Sequence, residues 1–145
     1  MQRDPQVIAE AVRDRMFAND RASKLLGMRI DAIGPGTATL SMTVRDDMLN
    51  GFDICHGGFI TTLADSAFAF ACNSHNELTV ASGISIDIVA PGRAGDVLTA
   101  RAAEVTKAGR TGVYDVDITN QRGERVAIFR GRSYTIKGKP VVDEE

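Results

Sequence analysis

The chain has 145 residues, 43% hydrophobic and 25% charged, with a formal net charge of −2. That is one ordinary domain, 1–145, long enough for a real core, and its near-neutral balance argues against a nucleic-acid partner. Two cysteines (Cys55 and Cys72) without ligand spacing, and only two histidines, argue against a metal site and against a disulfide framework, and fit a reduced, cytoplasmic setting.

Asp4-Pro5 predicts a helix start, a capping carboxylate followed by proline in the first turn. Val7, Ile8, Ala11, Val12 and Met16 then recur at helical spacing. A second, short helix is expected from Asp20 to Leu26, with Gly27 as its stop. Met28, Ile30 and Ala32 alternate with polar residues up to the turn Gly34-Pro35-Gly36, and Leu40, Met42 and Val44 alternate with Ser41 and Thr43, so two strands follow. The segment Arg45–Cys55 reads as a loop containing Asn50-Gly51.

The run from Gly57 to Asn73 is apolar and small-residue apart from one ionisable group, Asp65. It is slightly short for a membrane span, carries a carboxylate at its centre and lacks flanking Lys or Arg, so it predicts a buried helix. A helix hydrophobic nearly all round must be covered on most sides. The rest reads as β: Ile84, Ile86 and Ile88 alternating with Ser85 and Asp87, then runs over 97–107, 113–119 and 125–136, all joined by short connections that favour antiparallel neighbours. Lys137–Glu145 reads as a polar, frayed tail beyond a core at about residues 26–136. The expected class is α+β, an antiparallel sheet wrapped around a long central helix, with helices at the N-terminus.

Asp65 is the first candidate for chemistry, because an unpaired buried carboxylate costs several kcal/mol. His56-Gly57-Gly58 brings unpaired N–H groups and a positive dipole end to the helix start, which suits a carbonyl oxygen. The bland readings are a structural acid at Asp65, tight packing at Gly57-Gly58, a structural hydrogen bond from His56, and a simple turn at Asn50-Gly51. Cys55 beside His56 has no third group to orient it as a nucleophile. Phe52, Phe59, Phe68 and Met48 are candidates for a pocket lining and equally for the core.

Asn50-Gly51, Cys55-His56-Gly57-Gly58-Phe59, Leu63-Ala64-Asp65-Ser66-Ala67 and Ala71-Cys72-Asn73 together resemble the signature of PaaI-type acyl-CoA thioesterases, which have the hot-dog fold. Segments 86–96, 109–116 and 127–131 match in kind, so the resemblance spans about residues 26–136. It implies cytosolic homotetramers whose sites form across a subunit interface and whose substrates are acyl-CoA thioesters of the aryl and phenylacetyl type. Coenzyme A is then part of the substrate, and no separate cofactor is expected. The Gly57 N–H would polarise the thioester oxygen, and Asp65 would serve as nucleophile or as general base. Asn50 would hold water or the carboxylate, and His56 would bond near the carbonyl or orient the loop. Ser66 occupies a position where the family often has a small hydroxyl, and Ser85 would position water. Arg93, Lys107, Arg110, Arg130 and Arg132 are the candidates for the CoA phosphates, with solvated strand-edge charge as the alternative. Two other functions compete: a hot-dog hydratase or dehydratase, and a non-catalytic acyl-CoA-binding module.

Geometry adds a constraint. Eight residues separate Gly57 from Asp65, about 12 Å along a helix at ~1.5 Å per residue. One carbonyl cannot touch both in one chain. Either only one of the two matters, or the second comes from another copy, as in a homodimer with antiparallel central helices.

Overall fold

The computed structural model describes residues 3–143. Helices α1 (Pro5–Ala18) and α2 (Arg21–Leu25) precede strands β1 (Arg29–Gly34) and β2 (Thr37–Thr43). A 3-10 turn, Asp46–Met48, leads to α3 (Gly57–Asn73), followed by β3 (Thr79–Ile88), β4 (Val97–Ala108), β5 (Thr111–Thr119) and β6 (Arg125–Thr135). The strands form one antiparallel sheet in the order β1-β2-β4-β5-β6-β3, with α3 packed on one face. This is the sheet around a central helix that the alternation and the apolar run predict, and the hot-dog fold that the resemblance implies.

Local chemistry sets the boundaries. The Asp4 carboxylate accepts from the Gln6 N–H at 2.7 Å, with Pro5 in the first turn of α1. Asp20 caps α2 by accepting from the Ser23 N–H at 2.9 Å. Gly36, Gly109 and Gly123 turn the three hairpins at φ +71°, +62° and +79°, a conformation that a side chain disfavours.

Leu63, Ala64, Ala67, Phe68 and Ala71 of α3 are buried together with Leu40 and Met42 of β2, Leu98 and Ala100 of β4, Tyr114 and Val116 of β5, and Phe129 of β6. Each fully buried large side chain contributes about 1.5–3 kcal/mol. Phe68 meets Tyr114 edge-on at 5.6 Å and Phe129 at 5.9 Å, and Phe70 meets Phe17 of α1 at 6.4 Å. Phe68 and Met48 are therefore core residues, not pocket lining. The Tyr114 hydroxyl donates to Glu104 Oε1 at 2.7 Å, which satisfies its one buried polar atom.

Three expectations need correction. A bulge in β1 between Ile30 and Ala32 reverses the alternation, so Ile33 rather than Ala32 faces the core. The segment after Ile136 is tied down as far as Val142, not frayed: buried Asn76, at φ +66°, accepts from the N–H groups of Val141 and Val142 and donates to the Val142 carbonyl. Residues 144 and 145 lie outside the described residues. Finally, the cover that the sheet, α1 and α2 give α3 leaves one side open. The side bearing Asp65 is exposed, and Ile84 and Ile88 of the edge strand β3 are 43% and 45% exposed although they point to the helix side of the sheet. Among the described residues no helix is long and apolar enough to cross a membrane.

Gly131 is where the Phe68 ring lies against β6: a Cβ there would stand 2.7 Å from two ring carbons. Gly131→Ala should therefore lower stability by about 1–3 kcal/mol, measured as a shift of the urea midpoint with an unchanged slope; an unshifted midpoint would refute this packing.

Candidate active site

The approach to α3 is built from backbone. The Cys55 N–H donates to the Gly92 carbonyl at 2.7 Å and the His56 N–H to the Met48 carbonyl at 2.8 Å. The Gly92 turn is itself fixed by Asp96, whose carboxylate accepts from the Arg93 N–H at 2.9 Å and from Gln121 Nε2 at 2.8 Å. The Gln121 bond, then the Arg93 N–H, hold the Asp96 carboxyl below its ordinary range. Asp96 was not among the candidate residues, since the Pro91–Asp96 stretch reads only as a strand breaker.

His56 is the N-cap of α3. Its Nδ1 accepts from the Gly58 N–H at 3.0 Å, so the neutral ring carries its proton on Nε2. Gly58 leaves room for this bond, since a Cβ there would stand 3.2 Å from Nδ1. The Gly57 N–H has no acceptor among the described residues and sits at the positive end of the helix.

Asn50 folds the preceding loop. Its Oδ1 accepts from the Phe52 N–H at 2.9 Å and the Ile54 N–H at 3.4 Å, leaving its amide NH2 free of partners among the described residues. Asn50, Cys55, Gly57, Ile60, Ile88 and Pro91 line a depression of about 390 Å³. The structure thus brings Asn50 and Gly57 together. Phe52 projects from the loop tip, 87% exposed, and Phe59 lies half-buried with its ring 6.1 Å from that of His56.

Asp65 is not in that depression. It stands exposed on the open side of α3 and makes no hydrogen bond or ion pair among the described residues. The expectation of a carboxylate buried within its own chain is corrected accordingly. Partial desolvation against the helix still pushes its pKa up. Ser66, the next residue of the helix and half-buried, is tied to α2: its Oγ lies 2.9 Å from Ser23 Oγ.

Ser85 stands opposite Arg130 in the β3–β6 ladder, while Ile86 stands opposite buried Phe129. Alternation therefore puts Ser85 on the outer face of the sheet, away from Gly57 and Asp65. Burial pushes the Cys55 thiol up to about 11, which leaves it a poor nucleophile.

The five basic candidates do not form one cluster. Arg130 makes a two-pronged pair with Asp115 at 2.7 and 2.9 Å on the outer face, and Lys107 lies 3.5 Å from Glu77. Arg110 donates to the Tyr134 hydroxyl at 3.3 Å. Arg132 lies over Gly83 beside an outer-face depression of about 290 Å³. Arg93 follows Pro91 of the Asn50–Gly57 depression by two residues and lies before β4, whereas Arg110 lies beyond its other end, a strand of about 36 Å at ~3.3 Å per residue. Among the described residues no group of three or more His, Cys, Asp or Glu side chains is placed to hold a metal.

If His56 acts as a cap, His56→Asn, which can also cap, should stay within about 0.5 kcal/mol of wild type, whereas His56→Ala should lose about 1 kcal/mol. Thermal unfolding of both variants checks this; equal losses would remove the capping role.

Comparison with known proteins agrees with this architecture. The profile of the thioesterase superfamily matches residues 52–127. The chain is 49% identical over 123 residues to the acyl-coenzyme A thioesterase PaaI of Escherichia coli K12, covering 85% of this chain and 88% of that protein. The solved structure of the E. coli PaaI protein from the phenylacetic acid degradation operon superposes with a TM-score of 0.92 at 45% identity, covering 94% of this chain and 99% of that one. A hypothetical thioesterase protein from Streptococcus pneumoniae TIGR4, solved with coenzyme A, superposes at 0.74 with 29% identity over 78% of this chain and 90% of that one. The chain belongs to the thioesterase superfamily, as a hot-dog-fold thioester hydrolase of the PaaI type.

Proposed function

We propose that the chain hydrolyses aryl- and phenylacetyl-type CoA thioesters, including hydroxyphenylacetyl-CoA, to the free acid and CoA in phenylacetate catabolism. The observation that carries this reading is the free Gly57 N–H at the positive end of α3, set in an apolar depression, on the same helix as the unpaired carboxylate of Asp65. The likeness to E. coli PaaI supports the substrate class, and the coenzyme A-bound relative supports the CoA portion.

In this reading the Gly57 N–H donates to the thioester oxygen and stabilises the charge that develops there. As general base, Asp65 takes one proton from water while the water oxygen attacks the carbonyl carbon. The C–S bond then breaks, and the proton passes to the departing thiolate. As nucleophile, Asp65 attacks the carbon itself, CoA leaves as thiolate, and water cleaves the resulting anhydride. Both routes need an ionised Asp65 and give the same acid and thiol.

Asn50 offers its free amide NH2 to the acyl carbonyl or to water. His56 acts by fixing the helix start, and this commitment of its ring to a cap weighs against a hydratase, which needs a free imidazole. Ser85 has no role here. Arg93 is the best placed cation for a CoA phosphate on this chain, and Arg110 and Arg132 remain candidates because neither meets a carboxylate among the described residues. Lys107 and Arg130 are already paired.

The site is completed by a second copy in this proposal. The exposed Ile84 and Ile88 of β3 and the open side of α3 would supply the contact of a homodimer in which Asp65 of one copy faces Gly57 of the other. A homotetramer of two such dimers is what the family likeness implies. Free, buried thiols at Cys55 and Cys72 fit a reducing cytoplasm.

The test is kcat/KM for phenylacetyl-, hydroxyphenylacetyl-, acetyl- and palmitoyl-CoA, with Asp65→Asn as the control. The aryl substrates should lead by about tenfold or more, because a short apolar pocket aligns a flat ring. Folded Asp65→Asn should lose at least about a hundredfold in kcat. Equal efficiency on palmitoyl-CoA would contradict the substrate class, and near-normal turnover by Asp65→Asn would contradict the mechanism.

A further inference from the structure

Ser66 follows Asp65 in α3, and its hydroxyl does something its neighbours do not. Thr61 and Thr62 donate back along the helix to the carbonyls of Gly57 and Gly58, both at 2.8 Å. Ser66 instead meets Ser23 of α2 at 2.9 Å, and Ser23 Oγ lies 2.7 Å from Asp20 Oδ2. Ser23 is 1% exposed, so water does not compete for these bonds.

The direction of the chain is fixed by its end. An ionised carboxylate only accepts, so Ser23 gives its proton to Asp20. Ser23 can then only accept from Ser66. The Ser66 proton therefore points toward α2, and half-buried Ser66, next to Asp65 in the chain, has nothing but lone pairs left for any other partner. We infer that Asp20 and Ser23 are positioning residues for hydrolysis: they hold Ser66 as an obligate acceptor, which binds one hydrogen of the attacking water while Asp65 takes the other.

This inference rests on the thioesterase reading of Asp65. It assigns a task to α2, a five-residue helix with little core of its own. It also explains the double use of Asp20, whose Oδ1 accepts from the Ser23 N–H at 2.9 Å while Oδ2 accepts from the Ser23 hydroxyl.

The same geometry supplies a clean perturbation. In Asp20→Asn the amide oxygen keeps the cap to the Ser23 N–H, and NH2 replaces Oδ2. A donor then faces Ser23 Oγ, so the hydroxyls reverse: Ser23 donates to Ser66, and the Ser66 proton turns away from α2. The relay's atoms stay in place while its polarity inverts.

The experiment compares wild type, Asp20→Asn, Ser66→Ala, the double variant and Asp65→Asn on phenylacetyl-CoA, with thermal unfolding of each. Asp20→Asn should lower kcat by about tenfold with KM within about twofold. In the Ser66→Ala background the same substitution should change kcat by less than about twofold, because no acceptor remains to be reoriented. Should Asp20→Asn unfold, Ser23→Ala, which frees the Ser66 proton, is read in its place with the same expectation.

Unchanged kcat in folded Asp20→Asn, or losses from Asp20→Asn and Ser66→Ala that multiply, would overturn the relay. Active wild type with dead Asp65→Asn alongside either result would leave the thioesterase reading standing. Wild type inactive on every acyl-CoA would overturn that reading and the relay with it.

Discussion

One rigid helix carries both proposed ends of the chemistry, and its length constrains everything else. Gly57 opens α3 and Asp65 lies about 12 Å further along, beyond the span of a single thioester carbonyl. The sheet covers only one side of the helix, which leaves the Asp65 side free. In the proposed dimer a second antiparallel copy would meet the exposed carboxylate and the exposed apolar residues of β3 at once.

The rest of the fold serves to hold the helix start. Its N-terminal N–H groups are useful to a ligand only if the backbone there does not move. Three supports meet at that point: the Gly92 carbonyl under Cys55, the Met48 carbonyl under His56, and the His56 ring over Gly58. Asp96 fixes the turn that supplies the first of them. At the other end, Asn76 ties the chain after β6 to the turn beyond α3. In between, Gly131 lets the Phe68 ring reach the sheet backbone. Preorganised donors of this kind act without rearrangement when charge develops on a bound carbonyl.

Much of this was legible in the sequence because single residue types carry it. Asp4-Pro5, Asp20 and Gly27 mark the first helices, and alternation marks the strands. The unbroken apolar run with one acid marks α3. What escaped depends on partners distant in sequence. The β1 bulge shifts one residue and turns Ala32 outward, a change that alternation alone does not signal. Asn76, a lone asparagine after a helix, has partners 65 and 66 residues away. Ser66 looked like a companion to Asp65, yet its bond partner is Ser23, 43 residues earlier. Ser85 sits on a real strand, but only the pairing with β6 tells which face it takes. The basic residues were legible only as candidates, and their partners and places along β4 to β6 come from the pairing of the strands.

The central claim, that one site needs Gly57 from one copy and Asp65 from another, is tested most directly by mixing two inactive chains. Asp65→Asn removes the carboxylate, and Gly57→Pro removes the N–H at a helix position that tolerates proline. After subunit exchange in equal amounts, half of the dimers are hybrids, each with one intact site. Activity should return to about a quarter of the wild-type value. A mixture whose exchange is demonstrated by mass spectrometry but which stays as inactive as its parents would contradict the account.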